Sequence, residues 1–147
     1  MNPLNFKVFT AKTEDQLPEV AKAILKELPL DATVALEGPM GSGKTTLVAS
    51  LARELGVEAG QVSSPTFAIV NEYLTADGHT IYHFDLYRLE SAAEVADMGF
   101  EEYIDSDALC LIEWPDRADM LLPDNCYTIT ISVNPDGSRQ FTLTGPC

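Results

Sequence analysis

The sequence predicts an α/β fold, a three-layer sandwich with a mostly parallel central sheet plus antiparallel hairpins. Three observations support this class. Residues 32–37 form a short apolar run typical of a buried parallel strand, and a glycine-rich stretch, Gly38–Thr45, follows at once. Thr46–Leu55 then places its leucines on one face of a helix that ends before Gly56. A second apolar run, Leu109–Trp114, ends in an acidic residue and a tryptophan, as a further buried strand would.

The glycine-rich stretch matches G-x-x-x-x-G-K-[ST], the phosphate-binding loop, and makes the predicted fold P-loop NTPase-like. Its glycines allow successive backbone N–H groups to point at phosphate oxygens, and the following helix directs its positive end there. Lys44 supplies a mobile positive charge, and Thr45 supplies a hydroxyl suited to Mg²⁺. The candidate nucleotide ligands of the loop are Gly41, Ser42, Gly43, Lys44, Thr45 and Thr46.

Length and composition predict a single domain over residues 1–147 with one hydrophobic core, because 46% of the residues are hydrophobic. No apolar run is long enough to span a bilayer, and the first residues do not form a secretory signal, so we expect no membrane association. Three cysteines, an odd number without a Cys-x-x-Cys pair, favour free thiols in a cytoplasmic protein.

The net charge of −14 argues against unaided binding to nucleic acid, which requires a basic patch. All five lysines lie at or before Lys44. The acidic stretch, Glu90–Asp119, contains ten acidic residues and one basic residue, Arg117. Two interpretations remain open for it: a solvated acidic face, or a docking surface for a basic partner.

The first element is a short predicted strand, Phe6–Thr10, followed by a helix. Thr13 and Gln16 have the spacing of a capping box, with Thr13 as the N-cap. The helix is expected to continue to about Leu28, ahead of a proline. Pro18 falls just past the tolerated first turn, so the helix either begins later or bends there.

The middle of the chain interrupts the α/β alternation with a predicted hairpin. Strands Phe67–Leu74 and Thr80–Asp85 flank the tight-turn signal Asp77-Gly78. Ahead of them lies Ser63–Phe67, where a proline stiffens the turn. Thr66 either presents its hydroxyl to the nucleotide or belongs to an ordinary Ser-Pro turn, and spacing alone favours the turn.

The later elements alternate again and end in a second hairpin. Pro115 is well placed to begin a helix after the strand at Leu109–Trp114. The predicted elements are an acidic helix Ser91–Met98, a further helical turn Glu101–Ile104, a helix Pro115–Leu121, and the strands Tyr127–Val133 and Arg139–Leu143 of the terminal hairpin.

Hydrolysis of a nucleotide requires a carboxylate to complete the metal site, and two strand ends supply one. Glu113 ends the more apolar strand, whereas Asp85 is the type of acid more common at that place. The residues alone do not rank them, and either one is also suited to hold the attacking water. His79 and His83 have no second ligand at metal spacing and are interpreted as surface or strand histidines.

The nucleotide base is predicted to be adenine, because the chain lacks the Asn-Lys-x-Asp run that GTPases use for guanine. Trp114 either stacks on the base, supports the site or packs in the core. Arg88 and Arg139 are candidates for stabilising charge in the transition state, and Arg88 is equally suited to pair with the acidic stretch.

Taken together and in this order, several motifs resemble the TsaE family, formerly called YjeE, of P-loop ATPases in bacterial tRNA threonylcarbamoyladenosine synthesis. Two departures stand out: the variable loop positions hold Pro39, Met40 and Ser42, and Leu17-Pro18 replaces the usual Leu-Gly. The resemblance covers nearly the whole chain through Gly38–Thr46, Ser64–Phe67, His83–Leu89, Met98-Gly99 and Ile112–Pro115.

The resemblance implies a cytoplasmic, Mg²⁺-dependent ATPase with catalytic Lys44, Asp85 and Glu113. It implies that Thr45 and Glu113 ligate Mg²⁺, and that the Ser-Pro-Thr-Phe loop, with Thr66, acts as a switch. It also implies ATP contacts from the segment Ala11 to Thr13 and from Arg139; Trp114 joins these candidates as the neighbour of Glu113.

The resemblance further implies that the chain works with TsaB and TsaD, and meets tRNA only through these partners. In that family TsaC supplies the threonylcarbamoyl-adenylate, and TsaD transfers the group to the adenosine beside the anticodon. Two alternatives remain on the same loop: a small-metabolite or nucleotide kinase, and a nucleotide-sensing binding protein that barely hydrolyses ATP.

Overall fold

A computed structural model describes residues 6–58 and 69–146. The Ser-Pro-Thr-Phe loop with Thr66, and the predicted start of a strand at Phe67, lie outside these residues. The strands are β1 (Phe6–Ala11), β2 (Thr33–Glu37), β3 (Val70–Leu74), β4 (Thr80–Asp85), β5 (Leu109–Glu113), β6 (Tyr127–Val133) and β7 (Arg139–Thr144). The helices are α1 (Leu17–Glu27), α2 (Lys44–Glu54), α3 (Ala92–Asp97) and α4 (Phe100–Ile104), with 3₁₀ segments at Glu14–Gln16 and Pro115–Leu121.

The described strands form one sheet in the order β1-β7-β6-β2-β5-β4-β3. Its centre is parallel, because β2 pairs with both β5 and β6, and β4 pairs with β5 in the same direction. Antiparallel pairs lie outside this centre: β3 with β4, β6 with β7, and β7 with β1. The predicted fold class, a parallel centre with hairpins added, is confirmed.

Helices cover both faces of the sheet and make the three predicted layers. On one face, α1 and α2 pack on sheet residues such as Leu36 and Ile129. On the other, α3 and α4 pack on a cluster around Phe84 and Ile112. In the part of the chain that the structure describes, no helix is long and apolar enough to cross a membrane.

The start of the first helix differs from the predicted capping box. The hydroxyl of Thr13 makes no capping hydrogen bond, whereas the side-chain oxygen of Gln16 accepts the backbone N–H of Lys12 at 2.7 Å. A 3₁₀ turn comes first, and α1 then begins at Leu17 with Pro18 in its first turn. The helix therefore begins later, because proline is tolerated only where its missing N–H is not needed.

The predicted helix over Pro115–Leu121 is wrong in type. This segment is 3₁₀ and is interrupted at Ala118, which has φ −118° and ψ 19°. Trp114, just before it, has a left-handed backbone with φ 59°. That conformation turns the chain sharply at the end of β5 and leaves the indole at the sheet edge.

Candidate functional site

The glycine-rich loop joins the carboxyl end of β2 to the first residue of α2. Gly41 and Gly43 have φ of +81° and +105°, which side chains other than glycine adopt only with strain. Within the loop, the N–H of Ser42 donates to the carbonyl of Pro39 at 3.0 Å. Gly43 also lies against Arg139, because a Cβ added to Gly43 would collide with the guanidinium group.

Lys44, the first residue of α2, is 6% exposed and holds its ammonium beside the loop. Its Nζ donates to the carbonyl of Gly38 at 2.7 Å and lies 3.6 Å from the ring centroid of Trp114. Burial lowers the pKa of Lys44, and the carboxylate of Glu113 opposes this shift. A carbonyl and an aromatic ring offset the lost hydration of a buried cation less fully than an anion does. The Lys44 ammonium is therefore well placed to bind a phosphate.

The next residue of α2 contacts the end of β5. The hydroxyl of Thr45 donates to the carboxylate of Glu113, with distances of 3.0 Å to Oε2 and 3.2 Å to Oε1. Asp85 ends the neighbouring strand directly opposite Glu113, and its Oδ1 accepts the N–H of Tyr87 at 3.1 Å. Hydroxyl and carboxylate oxygens are ligands that Mg²⁺ prefers.

No group of three or more acidic, histidine or cysteine side chains suited to a metal occurs among residues 6–58 and 69–146. A Mg²⁺ ion that keeps several waters and takes phosphate oxygens needs only one or two protein carboxylates. The pair Thr45 and Glu113, beside Lys44, therefore fits a metal that arrives with a nucleotide.

His83 belongs to the same group of side chains, which the sequence did not suggest. Its Nε2 lies 2.5 Å from Oε2 of Glu113, and its Nδ1 lies 3.1 Å from the hydroxyl of Tyr73. The strand interpretation of this histidine was right, but its contact with the site was missed. The alternation of side chains along a strand could have indicated this contact. His83 and Asp85 are two residues apart on β4, so both side chains lie on the same face of the sheet.

Two adjoining cavities lie over the loop, of about 440 Å³ and about 220 Å³. Glu14, Gly43, Thr46 and Arg139 line both of them. The larger is also lined by Met40, Gly41, Lys44, Thr45, Asp85, Tyr87, Glu113 and Trp114. The smaller is also lined by Ala11, Lys12, Thr13, Leu17, Gly137 and Phe141.

Most of the described residues predicted for the site thus border one continuous cleft, and two of them do not. Ser42 lines neither cavity; it is 1% exposed, and its hydroxyl makes no hydrogen bond within the described residues. Arg88 is exposed and also lines neither cavity. Thr66 belongs to the segment that is not described.

Trp114 lies at the end of the cleft that is lined by Lys44 and Thr45. Its ring contacts the ammonium of Lys44 and the ring of Tyr87, with 4.9 Å between the aromatic centroids. It borders the larger cavity and not the smaller one. The ring also packs against the hydrophobic cluster around Phe84 and Ile112, so contact with the site and packing in the core both apply to this residue.

A parallel sheet whose β2 leads through Gly-x₄-Gly-Lys-Thr into a helix, with carboxylates at the ends of β4 and β5, defines a P-loop protein of the α/β class. Comparison with known proteins gives the family. Residues 11–141 match the model of "Threonylcarbamoyl adenosine biosynthesis protein TsaE". The chain belongs to the TsaE family, which takes part in tRNA threonylcarbamoyladenosine biosynthesis, and the resemblance found in the sequence is confirmed.

Individual relatives agree with this family. A Haemophilus influenzae protein is 42% identical over 110 residues, which cover 75% of this chain and 68% of the relative. A Bacillus subtilis protein is 39% identical over 132 residues, or 86% and 80% of the two chains. Both are named "tRNA threonylcarbamoyladenosine biosynthesis protein TsaE". The "Crystal structure of Bacillus subtilus YdiB" covers all of this chain and 90% of its own, with a TM-score of 0.77 and 26% identity.

Replacing Gly43 with alanine is expected to destabilise the protein and to weaken ATP binding. A left-handed residue with a Cβ costs about 1–2 kcal/mol, and here the Cβ would also displace the Arg139 guanidinium from the cleft. Gly78→Ala is the matched control, because Gly78 has φ +87° but open space around its added Cβ. Thermal unfolding and ATP titration of both variants test this. Because both variants carry the left-handed strain, a Gly43→Ala protein whose Tm falls no further than that of Gly78→Ala, and whose ATP affinity is normal, would contradict it.

Proposed function

We propose that this chain is a Mg²⁺-dependent ATPase required for threonylcarbamoylation of the adenosine next to the anticodon of tRNA, and that it acts with TsaB and TsaD. The observation that carries the ATPase part is the contact of Thr45 with Glu113 beside the ammonium of Lys44. The relatives named for tRNA threonylcarbamoyladenosine biosynthesis support the pathway.

In this proposal each group at the loop has a distinct role. The loop amides and Lys44 bind the phosphates, while Thr45 and Glu113 hold Mg²⁺. The bound ion would neutralise charge that develops on the transferred phosphoryl group. Asp85, one strand further from the loop, orients the attacking water, and the Arg139 guanidinium supplies positive charge from the opposite side of the cleft.

The smaller cavity is the proposed site of the adenosine. It adjoins the phosphate end through Gly43, Thr46 and Arg139, and it combines apolar Leu17 and Phe141 with polar groups. A cavity of this mixed character suits a flat base held by a few polar contacts. The residues Ala11 and Thr13, implied by the family resemblance to approach ATP, belong to its lining.

The arginines argue against the kinase alternative. Kinases of small substrates usually clamp the second substrate with several arginines, and this chain has four. Arg139 lines the two cavities described above, whereas Arg53, Arg88 and Arg117 line neither. Arg117 is instead bonded to the carbonyl of Leu89 and to Asp116.

Incubation with ATP, with and without TsaB and TsaD, separates the three functions by their products. An ATPase releases inorganic phosphate, a kinase transfers the phosphoryl group to an acceptor, and a sensing protein leaves bound ATP intact. We expect inorganic phosphate. Phosphoryl transfer, or intact ATP under every condition, would overturn the proposal.

The proposed cytoplasmic location is supported by the cysteines. Cys110 is a buried free thiol within β5, and burial raises its pKa to about 12. Cys126 is also free, and burial raises its pKa to about 11. Protonated thiols react slowly and do not readily form disulfides. Free thiols of this kind are typical of proteins in the reducing cytoplasm.

The acidic stretch bears on the partners. Its members on α3 and α4, Glu94, Asp97, Glu101 and Glu102, are exposed. Two other acids of the stretch lie at or near the site. Glu113 is buried there, and the negative charge of Asp116 opposes the lowering of the Lys44 pKa by burial. The exposed acids on the helices disfavour direct contact with tRNA phosphates and favour a basic protein surface.

Changing Glu94, Asp97, Glu101 and Glu102 together to lysine is expected to slow association with the TsaB–TsaD pair and to leave ATP affinity nearly unchanged. Opposite charges at a rim mainly raise the association rate, and salt screens them over about 8 Å at physiological ionic strength. Association rates measured against salt test this, with tRNA binding by the isolated chain as a second readout. Tight tRNA binding without partners would contradict this expectation. So would an association rate that changes neither with salt nor with the four substitutions, and the acidic stretch would then be only a solvated face.

A further inference from the structure

A row of hydrogen-bonded side chains connects the edge of the sheet to the phosphate loop. It begins at the hydroxyl of Tyr73 on β3, passes through both ring nitrogens of His83 on β4, and reaches the carboxylate of Glu113 on β5. The hydroxyl of Thr45 on α2 completes it. Tyr73, His83 and Glu113 are each at most 3% exposed, so water does not compete for these contacts.

The three contacts of this row are satisfied by the following assignment of protons. The phenol O–H of Tyr73 donates to Nδ1 of His83, and the ring N–H at Nε2 donates to Oε2 of Glu113. The Thr45 hydroxyl donates to the same carboxylate from the side of the cleft. In this assignment each contact pairs one donor with one acceptor, as a buried network requires.

The strands keep these side chains in a fixed relation. Tyr73 stands opposite Ile81, two residues before His83 on the same face, and Glu113 stands opposite Asp85, two residues after it. Pairing of β3, β4 and β5 therefore sets the distances between successive members of the row. Carboxylates that bind metals are commonly oriented by such outer hydrogen bonds, whose loss reduces metal affinity or activity about 10–100-fold.

We propose that His83 is a positioning residue for Glu113, and that Tyr73 holds the imidazole in the tautomer that donates to the carboxylate. The inference rests on the proposed Mg²⁺-dependent binding of ATP. Without the donor at Nε2, Thr45 would be the one described residue that donates to the Glu113 carboxylate, and its hydroxyl is also a proposed ligand of the metal. The site would then bind Mg²⁺ more weakly, so Mg²⁺ would strengthen ATP binding less. The contacts of the loop with the phosphates would remain.

The test is the ratio of ATP dissociation constants in EDTA and in Mg²⁺, measured by calorimetry. We expect His83→Leu to reduce the wild-type ratio about tenfold or more. His83→Gln restores an N–H near the position of Nε2, and we expect it to recover most of the ratio. Tyr73→Phe, which keeps the packed ring, is expected to have a smaller effect in the same direction. His79→Leu is the control, because His79 is exposed.

The outcomes separate this inference from the proposed function. A wild-type ratio near one would mean that ATP binding does not depend on Mg²⁺, which contradicts the proposed function itself. A large wild-type ratio that persists in folded His83→Leu and Tyr73→Phe proteins would overturn the role of His83 alone. Equal losses in His83→Leu and His83→Gln would indicate packing, because the restored donor would have no effect.

A spectroscopic readout needs no nucleotide. The chain has two histidines, and the imidazole region of a ¹⁵N-edited spectrum, which is separate from the indole signal of Trp114, reports on these two rings. We expect a proton on Nε2 of His83 that exchanges slowly with solvent, and rapid exchange at exposed His79. Tyr73→Phe should speed exchange at His83. Absence of a proton on Nε2 of His83 would contradict the assigned hydrogen bond to Glu113.

Discussion

Replacing Lys44 with alanine is expected to reduce ATP hydrolysis about a hundredfold or more and to leave the fold intact. Loss of one contact that stabilises developing charge typically has an effect of this size. The Nζ of Lys44 contacts the carbonyl of Gly38 and the ring of Trp114 at the cleft, not the hydrophobic core, so the substitution leaves the core packing in place. Thr45→Ala should act similarly, because it removes the hydroxyl next to Glu113.

Phosphate release and thermal unfolding measured on the same preparations check this expectation. Lys26→Ala is the matched control, since it makes the same change at an exposed lysine of α1. The control should retain wild-type turnover. Near-normal turnover in a correctly folded Lys44→Ala protein would remove the central role of the loop.

Glu113→Gln is expected to weaken Mg²⁺-dependent nucleotide binding strongly, whereas Asp85→Asn should lower turnover more than binding. Glu113 contacts the Thr45 hydroxyl directly, and Asp85 lies beyond it on β4. The glutamine also replaces one acceptor by an N–H₂ group that would face the donors Thr45 and His83. An unsatisfied buried polar group costs about 1–3 kcal/mol, so this variant should unfold at a lower temperature as well.

Mg²⁺ titrations in the presence of ATP, together with steady-state rates, distinguish the two acids. Equal Mg²⁺ affinity in the wild type and in Glu113→Gln would contradict the assignment of Glu113 as the metal ligand. A rate effect of Asp85→Asn that disappears at saturating Mg²⁺ would instead assign Asp85 to metal binding.

The centre of the fold could be predicted because its signals are local. The strand at residues 33–37, the loop and α2 follow one another without interruption, and glycines mark the loop directly. The two acids at strand ends also follow from local patterns. Their ranking does not, because it depends on strand order: β5 lies beside β2, and β4 lies one strand further away. That order brings Glu113, and not Asp85, to the hydroxyl of Thr45.

The parts that the sequence did not predict depend on contacts between distant segments. The hydrogen-bond partners of His83 lie on β3 and β5. The residues next to His83 in the sequence do not indicate that these partners are Tyr73 and Glu113. The left-handed backbone of Trp114 was likewise not predicted. It occurs at the end of β5, where the indole contacts Lys44 and Tyr87. Local capping rules also gave the wrong partner for Gln16, which bonds to Lys12 one residue before the predicted cap.

The rate of phosphate release from ATP, measured with and without the TsaB–TsaD pair from the same organism, is the decisive measurement for a partner-dependent ATPase. We expect slow release by the isolated chain, faster release when the pair is added, and loss of both in EDTA or in the Lys44→Ala protein. Release that is absent with the pair and Mg²⁺ present, or that persists unchanged in Lys44→Ala, would contradict it.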